Sequence, residues 1–83
     1  MLGTLLASAR VDGGGRLDAV WVGGDVIAPD ATVQSITGAL LGQLPHQDVL
    51  RTSVERILAR PDDFLLGANA ADVAAVVIAA ATP

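Results

Sequence analysis

The sequence predicts an α+β domain, a small antiparallel sheet packed with about three helices. Three observations carry this. Two strand-like runs flank the glycine-rich turn Asp12-Gly13-Gly14-Gly15; three later runs repeat apolar residues at helical spacing; and each of those runs is bounded by a capping residue, a glycine or a proline. With 83 residues, the chain has room for one domain spanning 1–83.

The first run, "TLLASARV" from Thr4, sets Ala7, Ala9 and Val11 on one side and Ser8 and Arg10 on the other. The glycines that follow tolerate the positive φ of a hairpin turn. "LDAVWV", from Leu17 to Val22, has the β-branched and aromatic content of a second strand. A two-stranded sheet is marginal alone, so a third strand is wanted, supplied by Val26-Ile27 or by another chain. Pro29-Asp30 opens the first helix, with Asp30 as its cap. Val33, Ile36, Leu40 and Leu41 form its apolar stripe, Gly42 stops it, and Gly38 inside it suggests the close passage of a neighbouring backbone. The second helix runs from Pro45 or His46 to Arg60, buries Leu50, Val54, Ile57 and Leu58, and ends before Pro61. Arg60 lies in its last turn, where the helix dipole favours a cation. Phe64-Leu65-Leu66 reads as an apolar loop or bridge. Asn69 caps the third helix, with Asp72 favouring its first turn. Residues 70–81 are almost uncharged, the pattern of a helix buried or set against a partner.

Composition narrows the chemistry. Hydrophobic residues reach 52%, too many for a disordered chain, and aromatics only 2%, so the core is aliphatic. The net charge of −4 offers no basic stripe for a phosphate backbone. All five basic residues are arginine, which removes Schiff-base lysines, a Walker lysine and side-chain acylation of this chain. Without cysteine there are no disulfides, thiolate clusters or Cys-type zinc sites, and one histidine does not make a metal site. No basic segment followed by an apolar core opens the sequence, and the run from Val73 to Ala81 is short of the roughly 20 residues of a membrane span. The expectation is a soluble, cytoplasmic protein.

The candidate motifs read chiefly as structure. Gly13-Gly14-Gly15 precedes a strand, whereas phosphate cradles precede a helix N-terminus. Gly23-Gly24-Asp25 does join a strand to a helix, but it lacks dinucleotide spacing and a nearby His, Ser or second carboxylate. His46 has only Asp48 within sequence reach and reads as a solvated first-turn residue. Asp62-Asp63 read as a solvated turn, since the further oxygen ligands of a calcium loop are missing. Trp21 packs across the sheet or anchors an interface.

The order "GGGRLDAVWVGGD", an apolar pair, an acidic helix start and "ALLG" resembles the C-terminal domain of lipoate–protein ligases, which also occurs as a separate accessory subunit. Gly24-Asp25 match the Gly-Asp of that family's Gly-Asp-Phe-Phe, Leu40-Leu41-Gly42 match its helix end, and Leu17, Val20 and Val22 match apolar strand positions. The resemblance is densest from Gly15 to Gly42 and extends loosely to the final helix. Val26 and Ile27 stand where the family has two phenylalanines. The fold implied resembles that of iron–sulfur scaffold proteins, whose cluster cysteines are absent here. A lipoyl acceptor domain is excluded by the helices and by the missing lysine. The resemblance implies a non-catalytic helper, supporting lipoate adenylation by a separate catalytic domain. The partner would bind lipoate and ATP, and this chain alone no cofactor or metal. Arg16, Trp21, Gly23, Gly24 and Asp25 are the expected partner contacts. The alternative is an interaction or oligomerisation module unrelated to lipoate, pairing with its own copy through the final helix.

Overall fold

A computed structural model describes residues 5–81; Thr4, read as the start of the first strand, lies outside the described residues. The element order is β1 (Leu5–Val11), β2 (Leu17–Gly24), α1 (Asp30–Leu40), α2 (Gln47–Leu58) and α3 (Ala70–Ala81). The α+β class is therefore as the sequence predicts.

β1 and β2 form an antiparallel hairpin in which Leu5 pairs with Gly24, Ala7 with Val22 and Ser8 with Trp21. Its turn is held by Asp12. The main-chain N–H of Asp12 donates to the Arg16 carbonyl at 2.8 Å, and the Asp12 carboxylate accepts from the N–H groups of Gly14 and Arg16 at 2.8 and 3.1 Å. Gly15 adopts φ 79°, which the glycine run permits. A register shift between Arg10 and Val11 sets Asp18 beside Arg10, whose Nε donates to its carboxylate at 2.9 Å. That hydrogen bond, and then the carboxylate charge, raise the pKa of the Arg10 guanidinium.

Among the described residues the sheet has two strands. Val26-Ile27 do not extend it. Instead Ile27 makes an isolated antiparallel bridge with Leu66, N–H to carbonyl in both directions at 3.0 and 2.8 Å. The segment Phe64-Leu65-Leu66 is thus a bridge to the β2–α1 connection.

Behind the hairpin, α3 lies chiefly on β1 and α1 on β2, while α2 packs on both helices without reaching the sheet. The core runs through all of these elements: Leu17 and Val22 from the sheet, Ile36 and Leu40 from α1, Leu50, Val54 and Ile57 from α2, and Ala70, Val73, Ala74 and Val77 from α3. Leu50, Val54 and Ile57 recur at i, i+4 and i+7, so a single stripe of α2 is buried.

Four local expectations are corrected. The N-cap of α1 is Pro29, and Asp30 is the first helical residue with no side-chain capping bond. At Pro29 φ is −60° but ψ is an extended 145°, and its carbonyl accepts the first helical bond from the Val33 N–H at 3.1 Å, so the helix starts one residue earlier. Arg60 lies beyond α2, which closes at Ala59; the cation in the last turn is Arg56. The α1 stripe includes buried Thr32, whereas Leu41 is exposed. The helix α3 is not buried all round: Ala71, Asp72, Ala75 and Ala79 face outward, and their small size hides the polarity of the pattern.

Asn69 and Asp72 form a reciprocal cap on α3. The Asp72 N–H donates to Asn69 Oδ1 at 2.9 Å, and the Asn69 N–H donates to Asp72 Oδ2 at 3.1 Å. Asn69→Ala should cost about 1 kcal/mol, read as a lower urea midpoint with an unchanged slope; an unaltered midpoint would show that the cap contributes nothing.

Gly38 faces solvent, and a Cβ built there meets nothing within 4 Å. Among the described residues no neighbouring backbone passes close by, contrary to the expectation from its position. Gly38→Ala should therefore stabilise the isolated domain by about 0.5–1 kcal/mol, because the helix loses its least favourable interior residue without a clash. A rise in thermal midpoint checks this, and a fall would point to a constraint at that position.

Candidate docking face

The outer face of the hairpin carries Leu6, Ser8 and Arg10 from β1 opposite Gly23, Trp21 and Ala19 of β2. Alternation along a strand dictates this: Ala7, Ala9, Val20 and Val22 turn inward onto the helices, so their neighbours turn out. Trp21 is 54% exposed and Leu6 51%. Trp21 does not fill the core; it lies on the wet side of the sheet.

Its indole leans along β2 toward the strand end. A Cβ placed on Gly23 would stand 2.6 Å from Trp21 Cζ2 and 2.9 Å from Cη2, so the six-membered ring occupies the space a side chain would need. Any side chain at Gly23 would therefore displace the indole. Gly24 is required by its backbone, whose φ is 115°. Two adjacent glycines therefore have separate reasons. The chain then turns through exposed Asp25 toward the bridge at Ile27.

Trp21, Gly23, Gly24 and Asp25 thus share one end of β2. Arg16 does not join them. It precedes the opposite end, and a strand of this length spans roughly 23 Å. Its Nη1 donates to the Gly42 carbonyl at 3.0 Å, beside main-chain bonds from Gly42 N–H to the Leu17 carbonyl (2.7 Å) and from Leu17 N–H to the Gln43 carbonyl (2.9 Å). Arg16 fastens the end of α1 to the start of β2. Gly42, at φ 83°, makes the turn that brings its carbonyl there.

Some other titratable groups are occupied in structural roles. Asp63, read as solvated, accepts at 2.6 Å from the hydroxyl of fully buried Thr32, while Asp62 is exposed. Nothing in the sequence pattern signalled this tie between α1 and the α2–α3 connection. His46 is the exposed N-cap of α2, and Asp48 is bonded to Arg51 at 3.5 Å. An open groove of about 610 Å³ beside α2 and the start of α3 is lined by Arg51, Glu55, Leu58, Leu65 and Asn69. Its polar groups are already engaged, Arg51 with Glu55 at 3.1 Å and Asn69 in the α3 cap. Among the described residues no group of three or more His, Cys, Asp or Glu is placed to hold a metal ion, and no helix is long and apolar enough to cross a membrane.

Trp21 and Leu6 thus give the outer face of the hairpin exposed apolar surface next to the glycine joint. Comparison with protein-family models, with curated proteins and with solved structures returned no match.

Proposed function

We propose that this chain is a non-catalytic accessory domain that docks onto the catalytic domain of a lipoate–protein ligase and supports lipoate adenylation there. The observation that carries the docking role is the outward Trp21, braced over Gly23 at the end of β2. The resemblance in sequence, densest from Gly15 to Gly42, includes this end and supplies the identity of the partner. The chain's own part is to present the face around Trp21; lipoate and ATP belong to the partner. Trp21, Gly23 and Asp25 are the contact residues, Gly24 sets the path of the chain through the contact, and Arg16 acts from the far end by holding α1 against the sheet.

The test mixes the purified chain with a ligase catalytic domain and measures both binding and adenylate formation. Adenylate formation should rise on addition of the chain and stay at background with the chain alone. Trp21→Ala should weaken docking by about 2 kcal/mol, since one exposed aromatic anchors the contact, and should leave the thermal midpoint nearly unchanged because the ring lies outside the core. The reading fails if wild-type chain neither binds the catalytic domain nor alters its rate.

A further inference from the structure

We infer that the exposed indole of Trp21, together with Asp25, receives a cationic side chain of the partner, an arginine stacked on the ring and paired with the carboxylate. The inference deepens the docking reading above and rests on it for the partner's identity, though not for the chemistry of the face. The ring lies over Gly23, and Trp21 is 54% exposed. An aromatic face presented in this way accepts an apolar group, a sugar ring or a cation, and the charges around it choose among them. Asp25 follows two residues after the glycine that the ring covers, is exposed, and makes no hydrogen bond or ion pair among the described residues. The cations of the same hairpin are committed: Arg10 to Asp18 at 2.9 Å, and Arg16, at the far end, to the Gly42 carbonyl. This end of the sheet therefore presents an aromatic ring and an unpaired carboxylate with no free cation beside them among the described residues, on a chain of net charge −4. Arginine fits better than lysine, because its planar guanidinium stacks on a ring while its edge donates two parallel bonds to a carboxylate.

Trp21 is the chain's single tryptophan, so its emission reports this face directly. The purified chain is titrated with N-acetyl-arginine amide and with N-acetyl-citrulline amide, its neutral isostere, at constant ionic strength. The arginine probe should change the emission saturably, with the citrulline probe at least threefold weaker, and Asp25→Asn should weaken the arginine response about threefold or more. Equal responses to the two probes, or an Asp25→Asn response equal to wild type, overturn the inference and leave an apolar contact. A second arm uses the ligase catalytic domain. There Trp21→Leu, which keeps apolar area but not the ring, should weaken docking about as much as Trp21→Ala, and affinity within twofold of wild type would again overturn the inference. A selective arginine response without any binding of the catalytic domain would uphold the cation-binding face and sink the ligase partner, so the two failures are separable.

Discussion

Leu50→Ala should cost about 2–5 kcal/mol and leave the domain at or near the edge of unfolding at room temperature. Leu50 has no solvent exposure and sits in the stripe by which α2 packs on both α1 and α3. Removing three carbons from it leaves a cavity bordered by helices that are themselves held by the sheet, so relaxation fills little of it. Small domains have about 0.05–0.15 kcal/mol of stability per residue, so the loss is a large share of the whole. The measurement is the urea midpoint followed by helix circular dichroism. Leu50→Met, which conserves volume, should cost less than about 1.5 kcal/mol. If Ala and Met behave alike, the core does not close around Leu50 as described.

The second large effect is expected at the strand-to-helix joint. Gly24→Val should destabilise by about 1–3 kcal/mol, because φ 115° lies outside the range open to an L-residue and a β-branched side chain tolerates it least. The comparison that isolates the cause is chemical synthesis with D-alanine at position 24. A D-residue favours positive φ, so D-alanine should be tolerated where L-alanine is not. Equal losses for the two enantiomers would shift the explanation from backbone conformation to lost space. Gly23→Ala is expected to act differently. Its Cβ would meet the indole of Trp21, so the ring must move. The change should appear in tryptophan emission and in docking before it appears in the thermal midpoint.

The hairpin and the three helices were legible because each is set by local chemistry. The Asp12 turn, the α3 cap at Asn69 and Asp72, and the Leu50, Val54 and Ile57 stripe are all written within a few residues of where they act. What was not legible was set at a distance. The tie between Thr32 and Asp63 joins α1 to the α2–α3 connection, and no periodicity marks a threonine as buried when its partner lies that far along the chain. Val26-Ile27 have strand character, but whether they join the hairpin or Leu66 depends on where the chain turns after Gly24. At the docking face, the glycine pair was legible as a joint. The two distinct demands on it, room for an indole at Gly23 and a positive φ at Gly24, required the backbone and the rotamer. Arg16 was grouped with that pair because it flanks the same strand; the extended geometry of β2 carries it to the other end.

The Ile27–Leu66 bridge has a kinetic meaning. It brings together two connections that enclose α1 and α2 in sequence, so it forms only after the chain between them has been gathered. The hairpin and each helix can form within their own segments, at little cost in loop closure, whereas this clasp waits for the helix pair to be in place. Its two main-chain bonds lie in loops, with both Ile27 and Leu66 exposed, so it is also among the first contacts to open and the last to be protected from solvent exchange. The path from the end of β2 to the start of α1 can therefore loosen while the Leu50 core stays closed. Within this fold, the segment that leads away from Trp21 is held at Ile27 by exposed main-chain bonds and not by the core.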